Sequence, residues 1–322
     1  MVYHFLWRSV FFFVVYQKLA LAEKNYPGGF TPDGAHCVDI CANASATPTC
    51  FNHSDPHCTK KKQAPGDWDF LLLDMLYLPQ FCRGLEFGVD DTVSHQHVAP
   101  YPNGTQCHPE QVTNALTIHG LWPNYVGGFP ACCQPLHQRL PSNVPLDPRR
   151  MNATEPTLLQ QMSEVWKDPT VDSAFDTLCE IHNHEFQKHG YCLGYGDMAA
   201  PVETIAARYF SYTMRVATTL NKATMQISKW AAEGIKPPLS DISNLFERAV
   251  QVICAKEDRD GAMLNRLASI RTCWTASGPL DHDSFWQIDC QPLASYGNIV
   301  PCSSNRTISL EPYVQPHAIY VE

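Results

Sequence analysis

The side chains that acid–base chemistry on an anion requires are gathered in one stretch, His184-Glu185-Phe186-Gln187-Lys188-His189-Gly190-Tyr191-Cys192. At roughly 100° per residue, an α-helix would set His184, Lys188, Glu185 and His189 at about 0°, 40°, 100° and 140°. All four would then share one face, with Phe186 and Gln187 pointing elsewhere and Gly190 suited to ending the helix. Lysine and a protonated imidazole neutralise an anion, while a second imidazole can act as general base. Two other uses of this spacing compete. A solvated helix face could carry the same residues as i,i+4 pairs. Zinc binding would need the two His at i and i+4; here they are at i and i+5 with the cation Lys188 between them.

A further imidazole lies in Thr117-Ile118-His119-Gly120-Leu121-Trp122-Pro123. At the end of a buried strand, Gly120 would let the backbone turn and leave His119 at a rim. Trp122 beside it offers a π-face for a nucleobase, worth about 1–3 kcal/mol where such stacking occurs. A core Trp and a hydrogen-bonded core His are the alternatives. Two His motifs in one chain provide one base and one acid, the pair needed to break a phosphodiester through the neighbouring 2′-hydroxyl.

These residues need elements to position them. The near-continuous apolar run from Trp68 to Leu78, stopped by Pro79, predicts a central strand buried on both faces. Ala115 to His119 predicts a second, shorter strand. Residues 86–110 and 126–156 read as loop. Thr157 to Lys167 has helical spacing, with Leu158, Leu159, Met162 and Trp166 on one face. The helix carrying the His184–His189 cluster should follow Asp176, and further helices are expected at 202–221 and 241–254. From Leu267 the chain alternates short apolar runs with Cys and Pro, as strands and turns do. Strands mixed with helices of unequal length, without regular alternation or repeats, indicate an α+β fold.

The N-terminus predicts export. A basic start, the apolar run Val10–Tyr16 and Ala20-Leu21-Ala22 have the form of a secretory signal at residues 1–22, too short to span a bilayer comfortably. Fourteen Cys without a Cys-x-x-Cys pair favour disulfides over zinc. Sequons at Asn43, Asn52, Asn103, Asn152 and Asn305 suit the same route. Residues 23–65 read as a Cys-rich arm ending in the solvated run Lys60-Lys61-Lys62. Removing Arg8 and Lys18 with the leader takes the formal charge from −9 to −11, and protonating the thirteen remaining His would bring it to about +2. On this count a polyanion is repelled at neutral pH and tolerated near pH 5.

The two motifs together resemble the active-site segments of the ribonuclease T2 family in sequence, order and separation, and the resemblance covers roughly residues 67–305. It implies an antiparallel central sheet packed with helices and stapled by disulfides, in a catalytic domain at 66–310 followed by a tail at 311–322. By resemblance, His189 takes the 2′-hydroxyl proton and His119 protonates the departing 5′-oxygen. Glu185 and Lys188 steady the pentacoordinate phosphate, His184 holds a phosphate oxygen, and Trp122 and Phe129 contact the base. The implied disulfides are Cys82–Cys107, Cys254–Cys302 and Cys273–Cys290, with Cys192 bonded to Cys132 or Cys133 and Cys179 to the other. Cys37, Cys41, Cys50 and Cys58 would pair among themselves. His182, Phe186 and Tyr191 stand where the family usually has Trp, Trp and Thr.

The implied activity is a metal-free and cofactor-free endoribonuclease on single-stranded RNA, forming a 2′,3′-cyclic phosphate and then a 3′-phosphate. It would work in a secreted or lysosome-like setting, with no membrane attachment after signal removal and no obligate protein partner. A secreted glycoprotein of the same fold acting by binding, and a metal-dependent hydrolase, are the competing readings.

Overall fold

A strand apolar on both faces is stable only where neighbours cover both, and Phe70–Tyr77 occupies such a place. The computed structural model describes residues 28–87, 99–136, 139–173, 175–257, 263–276, 285–292 and 299–316. The expected leader and residues 317–322 of the expected tail lie outside these. The strands are β1 (Thr49–Cys50), β2 (Phe70–Tyr77), β3 (Leu116–Asn124), β4 (Gly128–Phe129), β5 (Gln251–Glu257), β6 (Met263–Ala276), β7 (Phe285–Ile288) and β8 (Ile299–Pro301). The helices are α1 (Pro56–Thr59), α2 (Leu78–Phe87), α3 (Pro148–Thr154), α4 (Pro156–Val165), α5 (Ile181–Glu185), α6 (Tyr191–Leu193), α7 (Val202–Thr219), α8 (Asn221–Ala232) and α9 (Leu239–Ser243). A π-helical turn, Phe186–Gly190, joins α5 to α6.

All pairings in the main sheet are antiparallel, in the order β3-β2-β6-β5-β8, with β7 also on β6. The α+β expectation holds. Leu71, Leu73 and Met75 of β2 join Ile118 and Leu121 of β3 in one core, which α7 closes with Ile205, Tyr209, Phe210 and Val216. A second core lies further along the sheet, where Tyr77, Val252, Leu267 and Ile270 meet Ile227 of α8 and Ile242 of α9.

Several expectations are corrected. The strand does end ahead of Pro79, at Tyr77, but the chain continues directly into the unexpected helix α2, where Pro79 sits in the first turn and its missing N–H costs nothing. The stretch 126–156 contains β4 and α3. The helix expected at 241–254 is the short α9 followed by β5. Ile242, Phe246, Val250 and Ile253 do have helical spacing, but backbone pairing with β6 and β8 and the Cys254–Cys302 bond hold the second half extended. Helix α8 had no counterpart in the sequence reading.

Every cysteine is bonded. Cys82–Cys107, Cys133–Cys192, Cys254–Cys302 and Cys273–Cys290 match the implied pairs. Cys179 does not bond the Cys132/Cys133 doublet: it bonds Cys37, and Cys132 bonds Cys41. Of the first four, Cys50 and Cys58 alone pair with each other. Residues 28–65 are thus sewn to the main domain, and Cys37 is part of its core. Lys61, in the run expected to be solvated, bridges Asp69 at 2.6 Å and Asp67 at 3.6 Å. All five sequon asparagines are exposed, and no described helix is long and apolar enough to cross a membrane.

Candidate active site

The helical segment from Ile181 to Leu193 is no solvated face: each residue in it is buried except Lys188, which is half-buried. Nor is it a plain α-helix. Its middle, Phe186–Gly190, is a π turn, whose hydrogen bonds run from i to i+5, so residues five apart lie nearly one above the other. Across this turn His184 and His189 lie within electrostatic reach of each other. Gly190 does not end the segment; it lies inside it, where an added Cβ would meet the Tyr209 ring at 2.6 Å. The ending is at Gly194, in the left-handed conformation at φ 69°.

His119 is delivered from the sheet by an irregularity. In the β2–β3 pairing Asp74 faces Gly120 and Met75 faces Ile118, leaving His119 as the extra residue of a bulge. Such a bulge re-aims the side chain it carries, and here it presents the imidazole to two carboxylates. Nδ1 lies 2.9 Å from Asp74 Oδ2, and Nε2 lies 3.5 Å from Glu185 Oε1. Glu185 Oε2 also accepts a hydrogen bond from the Trp122 indole at 2.6 Å. This close fit needs Gly120, because a Cβ there would stand 1.9 Å from Glu185 Oε2.

Trp122 is the hub that unites the two motifs. Its ring centroid is 5.1 Å from that of His119 and 5.2 Å from that of His189. Phe129 approaches His189 at 6.4 Å. Lys188 lies within electrostatic reach of Glu185, and its carbonyl accepts the Cys132 N–H at 2.8 Å. On another side, His119 borders a hollow lined by Leu76, Leu78, Phe81 and Ile181.

The two imidazoles have opposite proton affinities. Burial works against charge on His119, but the Glu185 carboxylate and the Asp74 hydrogen bond prevail and raise its pKa above the ordinary 6.5. Burial, reinforced by Lys188, His184 and His119, drives His189 well below that value. Its Nδ1 is enclosed without a hydrogen-bond partner among the described residues, so a proton there would be a buried, unsatisfied donor. Burial lifts the Glu185 carboxyl, against His119, the Trp122 N–H and Lys188, which favour its charged form. It also lowers the Lys188 ammonium, with Glu185 opposing. The cluster therefore sets against one indole two imidazoles whose proton affinities are shifted in opposite directions.

Residues 68–289 match the sequence profile of the ribonuclease T2 family. The chain belongs to the ribonuclease T2 family. A Ribonuclease 3 of Arabidopsis thaliana is 25% identical over 218 residues, covering 63% of this chain and 84% of that protein. Ribonuclease T2-like proteins of Aspergillus fumigatus and Emericella nidulans are 33% and 38% identical over 110 and 81 residues, or 32% and 25% of this chain. The matches span only 24% and 17% of those fungal relatives. Among solved structures, RNase NT in complex with 5′-AMP is similar at 20% identity over 77% of this chain and 100% of that one, with a TM-score of 0.47. Actibind, a T2 ribonuclease, is similar at 18% identity over 84% and 98%, with a TM-score of 0.48.

In this ribonuclease T2 family member, the sequence reading overlooked Asp74 and Arg271. Asp74 is 1% exposed on β2 and also meets Arg271 Nε of β6 at 3.2 Å. Arg271 in turn places its guanidinium carbon 5.4 Å from the Trp122 ring centre. A lone acid within the apolar run Phe70–Tyr77 was the available signal, since a buried carboxylate persists only with partners.

Proposed function

We propose that this site cleaves single-stranded RNA by acid–base transesterification, and the observation that carries the reading is the gathering of His119 and His189 at 5.1 and 5.2 Å from one Trp122 ring, where His119 is shifted above the ordinary histidine pKa and His189 below it. Neutral His189 accepts the proton of a ribose 2′-hydroxyl as its oxygen attacks the adjacent phosphorus. Protonated His119 delivers its Nε2 proton to the 5′-oxygen as the P–O5′ bond breaks. The free site already has Glu185 Oε1 opposite that nitrogen; the leaving oxygen would take its place. The product is a 2′,3′-cyclic phosphate. With the roles reversed, His119 activates water and His189 protonates the 2′-oxygen, leaving a 3′-phosphate.

Lys188 and Arg271 oppose the charge that builds on the phosphoryl oxygens, and His184, close behind His189, holds a phosphate oxygen. Glu185 fixes both the His119 ring and the Trp122 indole. The base of the attacking nucleotide lies between Trp122 and Phe129. No metal enters this scheme, because the 2′-hydroxyl is an internal nucleophile at high effective concentration. Export through an oxidising, glycosylating route is part of the same proposal, supported by complete cysteine pairing and the five exposed sequons.

The deciding experiment digests a defined oligonucleotide and identifies the ends by mass. Cyclic phosphate and then 3′-phosphate ends are expected, unchanged by EDTA, with His119→Ala and His189→Ala each slower by about 10²–10⁴-fold. Intact RNA across pH 4–7 would instead favour a binding protein of this fold, and loss of activity with EDTA a metal enzyme.

A further inference from the structure

The aromatic series that begins in the site does not end at Phe129. Phe51, on the N-terminal arm, lies 6.1 Å from Phe129 between ring centres. Phe129 is 6.4 Å from His189, which is 5.2 Å from Trp122. The rings thus step outward from the reacting centre to the surface, where Phe51 is 74% exposed. Single exposed apolar side chains are ordinary on protein surfaces; what sets Phe51 apart is that its ring extends the aromatic series through Phe129.

Its backbone is tied down. Thr49 pairs with Phe129 and Cys50 with Gly128 across β1 and β4. The Phe51 N–H donates to the Gly127 carbonyl at 2.9 Å. Cys50 is bonded to Cys58 in α1, and α1 is capped by Asp55, whose carboxylate accepts the His57 N–H. A ring whose backbone is anchored next to a stapled strand costs less ordering when a base stacks on it than one on a free segment.

We infer that Phe51 forms an additional nucleobase subsite for single-stranded RNA, taking the base on the 5′ side of the nucleotide whose 2′-hydroxyl attacks. This rests on the ribonuclease reading above. The polarity follows from the assigned roles. The attacking nucleotide lies against His189, with its base between Trp122 and Phe129, and its 3′-phosphate lies at His119. The chain can continue past Phe129 only through that nucleotide's 5′-oxygen, and the preceding base then arrives at Phe51. Stacking on an aromatic face tolerates any base, so the subsite adds affinity for length rather than for sequence.

The test uses two substrates with a single ribose each, all other sugars being deoxyribose, so that one bond alone can break. One is a dinucleotide; the other carries one more nucleotide on its 5′ side. The native protein should favour the longer substrate in kcat/KM by about tenfold, the scale of one stacked base. Phe51→Ala and Phe51→Leu should abolish that preference, Phe51→Trp should keep it, and a nucleotide added on the 3′ side should be indifferent to all three. The series is repeated with Asn52→Gln, so that a glycan beside the ring is not mistaken for the ring. A preference that survives in Phe51→Ala overturns the subsite, as does its absence in a native protein that cleaves the dinucleotide; in both cases the ribonuclease reading stands. Cleavage of neither substrate by native protein would overturn that reading and the subsite together.

Discussion

A carboxylate shut away from water must find donors, and Asp74 finds three: one oxygen faces His119 Nδ1 and the other Arg271 Nε, and the Ser269 hydroxyl also donates to it. Burial favours the protonated acid, yet Arg271 and His119 hold its pKa below the usual carboxylate range. The charge it keeps helps to hold His119 protonated and fixes which nitrogen faces the cleft. Asp74 is thus a positioning residue. With His119 raised above 6.5 and His189 well below it, kcat/KM should rise with pH as His189 loses its proton and fall as His119 does. The maximum should straddle pH 6.5, reaching further toward neutrality than an enzyme confined to acid conditions. Asp74→Asn removes the charge and turns an amide donor toward a group that formerly donated to the carboxylate. It should slow cleavage at least about tenfold and shift the alkaline limb to lower pH, leaving the acid limb in place. An alkaline limb that does not move would show that Asp74 is merely structural.

The segment Ile181–Leu193 places the acid–base residues, and the residues behind it decide how acid affects it. His182, Phe186 and Tyr191, which stand where the family usually has Trp, Trp and Thr, are all buried. His182 packs edge-on to Trp166 at 5.2 Å and against Phe210 at 5.6 Å, and burial pushes its pKa down to about 3. Between that value and 6.5 the unfolded chain binds a proton that the folded one refuses. Stability then falls as pH falls, by up to about 1.4 kcal/mol per unit from this residue. His189 acts in the same direction. In His182→Phe the slope of unfolding free energy against pH between 4 and 6 should therefore be shallower by up to that amount, but not zero; denaturant titrations giving parallel lines for the two proteins would refute this. Side-chain identity made the cluster legible in the sequence, but not the π turn, because a one-residue widening leaves no trace in residue type. The apolar run of β2 was equally plain. The Asp74 within it was not, since its partners lie 45 and 197 residues away.

At the scale of the whole molecule, connectivity is what composition conceals. Fourteen cysteines and an oxidising route could be read from the chain, but spacing does not encode which partners meet. The arm was expected to close on itself and instead spans the domain. Cys37–Cys179 closes a separation of 142 residues and Cys41–Cys132 one of 91, whereas Cys50–Cys58 closes 8. If a cross-link acts by restricting the unfolded chain, its contribution grows with the logarithm of the loop, from about 2.5 kcal/mol for the shortest to about 5 for the longest. The longest is also wholly inside the core, with Cys37 2% and Cys179 0% exposed, so its removal leaves unfilled space as well. The double variant Cys37→Ala/Cys179→Ala should therefore be less stable than Cys50→Ala/Cys58→Ala by at least about 2 kcal/mol in denaturant titration at equal slope. Cys50→Ala/Cys58→Ala should cost less stability, yet it loosens the strand that carries Phe51. Its signature should be loss of the preference for the longer substrate while the dinucleotide is still cleaved. Equal destabilisation by the two double variants would mean that native-state packing, rather than loop closure, sets what these bonds contribute.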